Sequence, residues 1–274
     1  MSSPTPVFEA TDAVVQSLIA SWDDYASQST ITIKGKQIPQ IILGLGLATH
    51  VHRLAGPAFD MLRQGLVLEA VPTLRAMFEA AVTAHWAVQV PDAANGFALK
   101  DRHQRMRLLD AMADMSLDFF NTDEHSQAIA DLDAITIPEG SASARFEAIC
   151  NDLNPPQMFL YSQYRLLSQM THPSDLLMDF YFHAVEQSPG LARRTPPKQP
   201  DRNGLAALGL ASLVWAGQAV EYSNPPRERR QALRDAAATL GISPVLTPTS
   251  SALARQSKAD RQRKAAKKAR RSSG

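Results

Sequence analysis

Two stretches of this sequence set polar, reactive side chains at helical spacing. In the first, Tyr164, Ser168 and His172 stand four residues apart and Arg165 precedes His172 by seven, almost two helical turns. All four therefore project to one side of a helix, with Tyr161 extending the patch and Leu166, Leu167 and Met170 facing elsewhere. An imidazole that titrates near neutrality suits proton transfer, and a guanidinium beside it suits an anion. Pro173 ends this helix and leaves His172 at its C-terminus, where the dipole favours imidazolium. The same residues also fit a plainer role, with His172 as a C-terminal cap and the Tyr and Ser hydroxyls bonded to backbone. In the second stretch Arg75, Glu79 and Thr83 lie four apart on a helix otherwise covered by Leu74, Met77, Phe78, Ala81 and Val82. Charge inside an apolar helix must be paired, either by a group across the bundle or by Arg75 and Glu79 with each other.

The elements that carry these residues read as helices almost throughout. Apolar residues recur at three and four positions from Phe8 to Ala26, then from Pro39 towards Leu62, with Gly56-Pro57 a candidate kink. Leu66 to Val90 is the most apolar helix, closed by Pro91 and Asn95-Gly96, and Phe97 to Phe119 is amphipathic. Short helices are expected from Thr122 to Leu132 and from Ala142 to Leu153. Met158 to Thr171 and a helix capped by Ser174 towards Val185 follow. A proline-rich loop spans 188–203, before helices from Leu205 to Tyr222 and from Arg227 to Leu240, the last stopped by Gly241. Strand evidence is limited to Thr30–Ile33 and Ile135–Ile137, which could pair as a small ribbon. Strands and helices do not alternate, so the expected fold is an all-α, multi-helix bundle.

Several chemistries are absent from the sequence. Gly44-Leu45-Gly46 sits inside a helical pattern without a third glycine and is no dinucleotide fingerprint. No phosphate-binding loop, nucleophile elbow, zinc-protease motif or EF-hand loop occurs. His50 and His52 point to different sides of a helix. Asp175, Asp179 and His183, at spacings of four, read more simply as a solvated face than as metal ligands beside His172. The expectation is no cofactor and no metal.

The segments Leu74-Arg75-Ala76-Met77-Phe78-Glu79 and Tyr164 to Ser174 resemble a bacterial all-helical family of uncharacterised proteins. Its members carry an L-R-x-x-x-E helix and a later Y-x-x-x-S-x-x-x-H-x-S segment, and the similarity spans residues 40–185. Arg165 to His172 is also similar to the R-x4-6-H pattern of HEPN domains, helical bundles that include metal-independent ribonucleases of toxin and phage-defence systems. One departure is Leu166, where HEPN nucleases tend to place a polar residue. The resemblance implies that Arg165 and His172 contact phosphate and move protons, usually across a homodimer. RNA cleavage without a metal needs a base for the 2′-hydroxyl, a cation for the phosphorane and an acid for the leaving oxygen. His172, Arg165 and Tyr164 could fill those roles, with Glu79 orienting one of them and Arg75, Thr83, Tyr161 and Ser168 lining the pocket. The competing expectation is a non-catalytic binding module whose polar pocket is structural or holds a small ligand.

Composition separates a body from a tail. The chain has 274 residues with a net charge of +1, but residues 250–274 hold nine Lys and Arg against Asp260 alone. That segment is thus +8 and the remainder −7. Lys258, Arg261, Arg263, Lys264, Lys267, Lys268, Arg270 and Arg271 are candidate contacts to RNA, or to the acidic body itself. The organisation expected is a flexible start at 1–7, a helical domain at 8–245 and a disordered basic tail at 246–274. Cys150 is the single cysteine, which excludes an intramolecular disulfide and fits a reducing compartment. The N-terminus lacks the basic and apolar regions of a secretory signal. The apolar window 66–90 carries Glu69, Arg75, Glu79 and His85, and 205–220 is short for a membrane span. A cytoplasmic protein with no membrane partner is expected.

Overall fold

The structure is a computed structural model and describes residues 7–27, 38–90, 93–114, 127, 130, 145–153, 160–185, 190–223 and 227–254. The described residues are all-α apart from one small ribbon. The elements in order are α1 (Phe8–Ala26), α2 (Ile38–Arg63), α3 (Val67–Gln89), α4 (Ala93–Asp114), α5 (Phe146–Asp152), α6 (Leu160–Thr171) and α7 (Asp175–Tyr181). The ribbon, β1 (Phe182–Ala184) and β2 (Leu191–Arg193), comes next, and α8 (Arg202–Ser223) and α9 (Arg230–Thr239) close the bundle.

A tight turn sets the first helix pair. Gly65 takes the left-handed conformation with φ 77°, and the Leu66 amide reaches back to the Met61 carbonyl at 2.9 Å. This six-to-one closure satisfies the last carbonyls of α2 and reverses the chain, so α3 returns along α2. Pro57 lies within α2, which stays helical through it. Against α2 and α3 packs α8, and these three helices supply the centre of the core: Phe59, Leu62, Leu74, Met77, Phe78, Leu210, Leu213 and Trp215 are all at most 1% exposed. Each such side chain contributes about 1.5–3 kcal/mol by leaving water. Residues 80–88 of α3 are buried on every side, which explains why that stretch looked long and apolar enough to consider for a membrane. Among the described residues one helix, Arg202–Tyr222, is long and apolar enough to cross a membrane, yet 83% of its apolar window is buried inside the bundle. Its apolarity is accounted for by neighbouring helices.

Beyond α9 the chain is still part of the body. The Leu246 amide donates to Nε2 of His85 at 3.1 Å, the other ring nitrogen of His85 donates to the Trp215 carbonyl at 3.1 Å, and Gln89 donates to the Leu246 carbonyl. Leu246 is 1% exposed, the Thr249 amide donates to the Asp152 carbonyl, and residues 250–254 are helical. Residues 246–254, assigned to the tail from sequence, thus pack on the body, where polar groups of α3 and the Asp152 carbonyl are their partners.

Two further differences concern strands. The helix expected to reach Val185 stops at Tyr181, and Phe182–Ala184 pairs antiparallel with Leu191–Arg193 inside the stretch read as a loop. The expected strands Thr30–Ile33 and Ile135–Ile137 lie outside the described residues, as does the basic run from Lys258 to Arg271, and of the expected helix Thr122 to Leu132 only Gln127 and Ala130 are described, both helical.

Candidate functional site

Helix α6 lies on α3 by burying Leu160, Leu167 and Met170. That choice of face leaves Tyr161, Tyr164 and Ser168 half-buried at its edge, and Arg165 and His172 in solvent. Of the predicted residues of α3 and α6, Arg75 and Tyr164 make contact across the two helices. Arg75 donates from Nη2 to the Tyr164 hydroxyl at 2.9 Å, and its guanidinium carbon is 5.0 Å from the same ring's centroid. The cation is thus held across the bundle rather than by Glu79 one turn along. Its Nε is buried without a hydrogen-bond partner among the described residues.

Tyr164 is fixed from three sides. Phe146 of α5 packs on its ring at 4.5 Å, and Tyr161 stacks at 6.1 Å with 21° between planes. Because the hydroxyl accepts from Arg75, its own proton remains available to donate. Ser168 and Thr83 are satisfied locally: Ser168 donates to the Tyr164 carbonyl at 2.8 Å and Thr83 to the Glu79 carbonyl at 2.7 Å. Neither hydroxyl proton is then free for a ligand. At the end of α6 the His172 amide closes on the Ser168 carbonyl, and Ser174 caps α7 by accepting from the Leu177 amide at 3.1 Å. His172 itself stands exposed at this corner.

Glu79 faces a different neighbourhood. Among the described residues no hydrogen bond or ion pair joins it to His172 or Arg165. It lies towards α5, where burial first, and the negative charges of Glu79 and Glu147 second, push the Cys150 thiol up to about 12. That cysteine is buried and held as the thiol. The spacing of Asp175, Asp179 and His183 does not make one helix face, since His183 is on β1.

Sequence reading missed a second polar cluster. Arg229 donates to Glu221 at 3.2 Å with both groups buried, and its guanidinium lies 4.8 Å and 4.9 Å from the rings of Trp22 and Tyr25. Burial raises the Glu221 carboxyl against the lowering effect of Arg229. His52 stacks on Trp22 at 4.0 Å, donates to the Ala48 carbonyl, and is pushed down to about 3 by burial. Burial likewise lowers His85 to about 4. The signal for Glu221, His52 and His85 was their place on apolar helices, but only tertiary packing identifies their partners, and nothing local marks Arg229.

The fold and site define a class: a helical bundle in which an Arg-bearing core helix supports a Tyr, Arg and His face on a shorter one. The chain belongs to a family of unknown function (DUF5677), whose model matches residues 41–189. That span runs from α2 through the ribbon's first strand and holds every residue of the α3 and α6 site. No curated protein and no solved structure matches the chain.

Proposed function

We propose that this protein is a HEPN-like, metal-independent ribonuclease acting as an effector in phage-defence or toxin systems, with the outer face of α6 as its active surface. The observation that carries the reading is the exposure of Arg165 and His172 on one face of α6 above the braced Tyr164. Seven residues at a rise of about 1.5 Å separate the two by roughly 10 Å along the axis. The reading requires the exposed guanidinium and imidazole to meet one phosphate from these positions. In the reaction His172 takes the proton of a ribose 2′-hydroxyl, and the 2′-oxygen bonds to phosphorus. The bond from phosphorus to the 5′-oxygen breaks, leaving a 2′,3′-cyclic phosphate and a 5′-hydroxyl. Arg165 neutralises charge on the phosphorane, and the Tyr164 hydroxyl supplies the leaving oxygen's proton. The basic residues Lys258 to Arg271 add local, salt-sensitive attraction for RNA, and a homodimer would pair two such faces.

The test is cleavage of a single-stranded RNA in the presence of a chelator. His172→Ala and Arg165→Ala should each lower the rate, by about 10²–10⁴-fold for the histidine. Full activity in both variants, or no cleavage by the wild type, removes the catalytic reading. The second reading, a non-catalytic binding module, is favoured by the way Arg75, Ser168 and Thr83 find partners within the protein. It expects Tyr164→Phe to change stability and no chemistry.

A further inference from the structure

A separate surface lies on α4. Over Lys100-Asp101-Arg102-His103-Gln104-Arg105-Met106-Arg107 four residues are Lys or Arg and one is acidic. Helical geometry divides them. Lys100, His103, Gln104 and Arg107 follow the i, i+3, i+4, i+7 pattern and share one face. His103, Gln104 and Arg107 are exposed and Lys100 is half-buried. Arg105 stands off this face and is occupied by Asp101 at 2.7 Å. Arg102 and Met106 are half-buried and lie off this face. Among the described residues no ion pair involves Lys100, His103 or Arg107.

The face offers side-chain donors over about 10 Å of helix axis, roughly the length of three stacked nucleotides on one strand. A membrane-binding helix would present a broad apolar face to solvent. Here Leu108, 59% exposed, is the large apolar side chain standing out from the described part of α4, while Ala93 and Gly96 face the bundle.

We infer that the Lys100, His103, Gln104 and Arg107 face of α4 binds the phosphate backbone of single-stranded RNA. It is a contact distinct from both α6 and the basic tail. This goes beyond the proposed chemistry and holds whether or not α6 cleaves, since charge and exposure of α4 alone carry it.

The experiment is fluorescence anisotropy of a labelled single-stranded RNA with the full chain, as salt is varied. Lys100→Gln/Arg107→Gln should bind more weakly, and the slope of log K against log salt should fall by about 1.4, near 0.7 per lost phosphate contact. Arg105→Gln should leave the slope unchanged, and Lys100→Arg/Arg107→Lys, which keeps both charges, should restore wild-type binding. An unchanged affinity and slope in the Gln double variant overturns the inference. So does a wild type that ignores RNA, or one that binds phosphatidylserine vesicles through these residues instead. His172→Ala should retain this binding, so loss of cleavage and loss of the α4 contact are read separately.

Discussion

At the residue scale, two buried histidines decide the acid response. His85 is pushed down to about 4 and His52 to about 3, against an ordinary 6.5. The unfolded chain takes up protons below about pH 6.5 while the folded one does not, so stability is full above that pH and falls as pH drops towards 4. For His85 the loss is on the order of 3 kcal/mol. Denaturant melts of wild type and His85→Gln between pH 7 and 4 should show a shallower decline in the variant. A second prediction concerns Tyr164→Phe, which removes the acceptor for Arg75. Loss of a hydrogen bond to a charged group should cost about 1.5–3 kcal/mol in a urea titration. Spacing set Arg75 on one face of its helix and Tyr164 on one face of another, because helical periodicity fixes which side chains share a face; that the two meet is the work of tertiary packing. Spacing was not enough for Glu79, since the rotation of α3 decides whether that carboxylate turns to α5 or α6. Nor does any local pattern reveal that His85 waits for an amide from residue 246.

At the element scale, close packing and helix propensity oppose each other at Gly209. Alanine there would gain about 1 kcal/mol of helix propensity. Its Cβ, however, would sit 2.7 Å from Phe59 Cε2 and 3.0 Å from Leu74 Cδ2. Overpacking a ring and a core leucine costs about 1–3 kcal/mol, so Gly209→Ala should lower the melting temperature. The attachment of α9 rests on Arg229. Arg229→Ala would leave Glu221 buried and unpaired, a change worth about 3–5 kcal/mol, whereas Arg229→Ala with Glu221→Gln should recover part of that loss. Equilibrium unfolding of the wild type and these two variants measures the difference. Most helices were legible because an apolar stripe recurs at three and four residues, as in Val15, Leu18 and Trp22. The ribbon was not, since β1 and β2 are three residues each with mostly exposed side chains, and no buried alternation marks them.

At the scale of the whole molecule, the span that matches the family holds only part of the core. Residues 41–189 lack α8, which lies against both α2 and α3 and contributes Leu210, Leu213 and Trp215 to the core. A protein cut to 41–189 should expose the inner faces of those helices and fail to give a cooperative melt, while 7–254 should melt like the full chain. Circular dichroism on heating separates the two. The tail, by contrast, is legible as a charge reversal in sequence, whereas the packing of residues 246–254 on the body shows only in the bonds of Leu246 and Thr249. The position of Trp22 has an optical consequence. Its indole touches the guanidinium of Arg229 and the imidazole of His52, while the other two tryptophans, Trp86 and Trp215, are buried elsewhere in the bundle. A cation against an indole shifts its emission, so the colour of Trp22 fluorescence reports whether the last helix is seated, with no added dye.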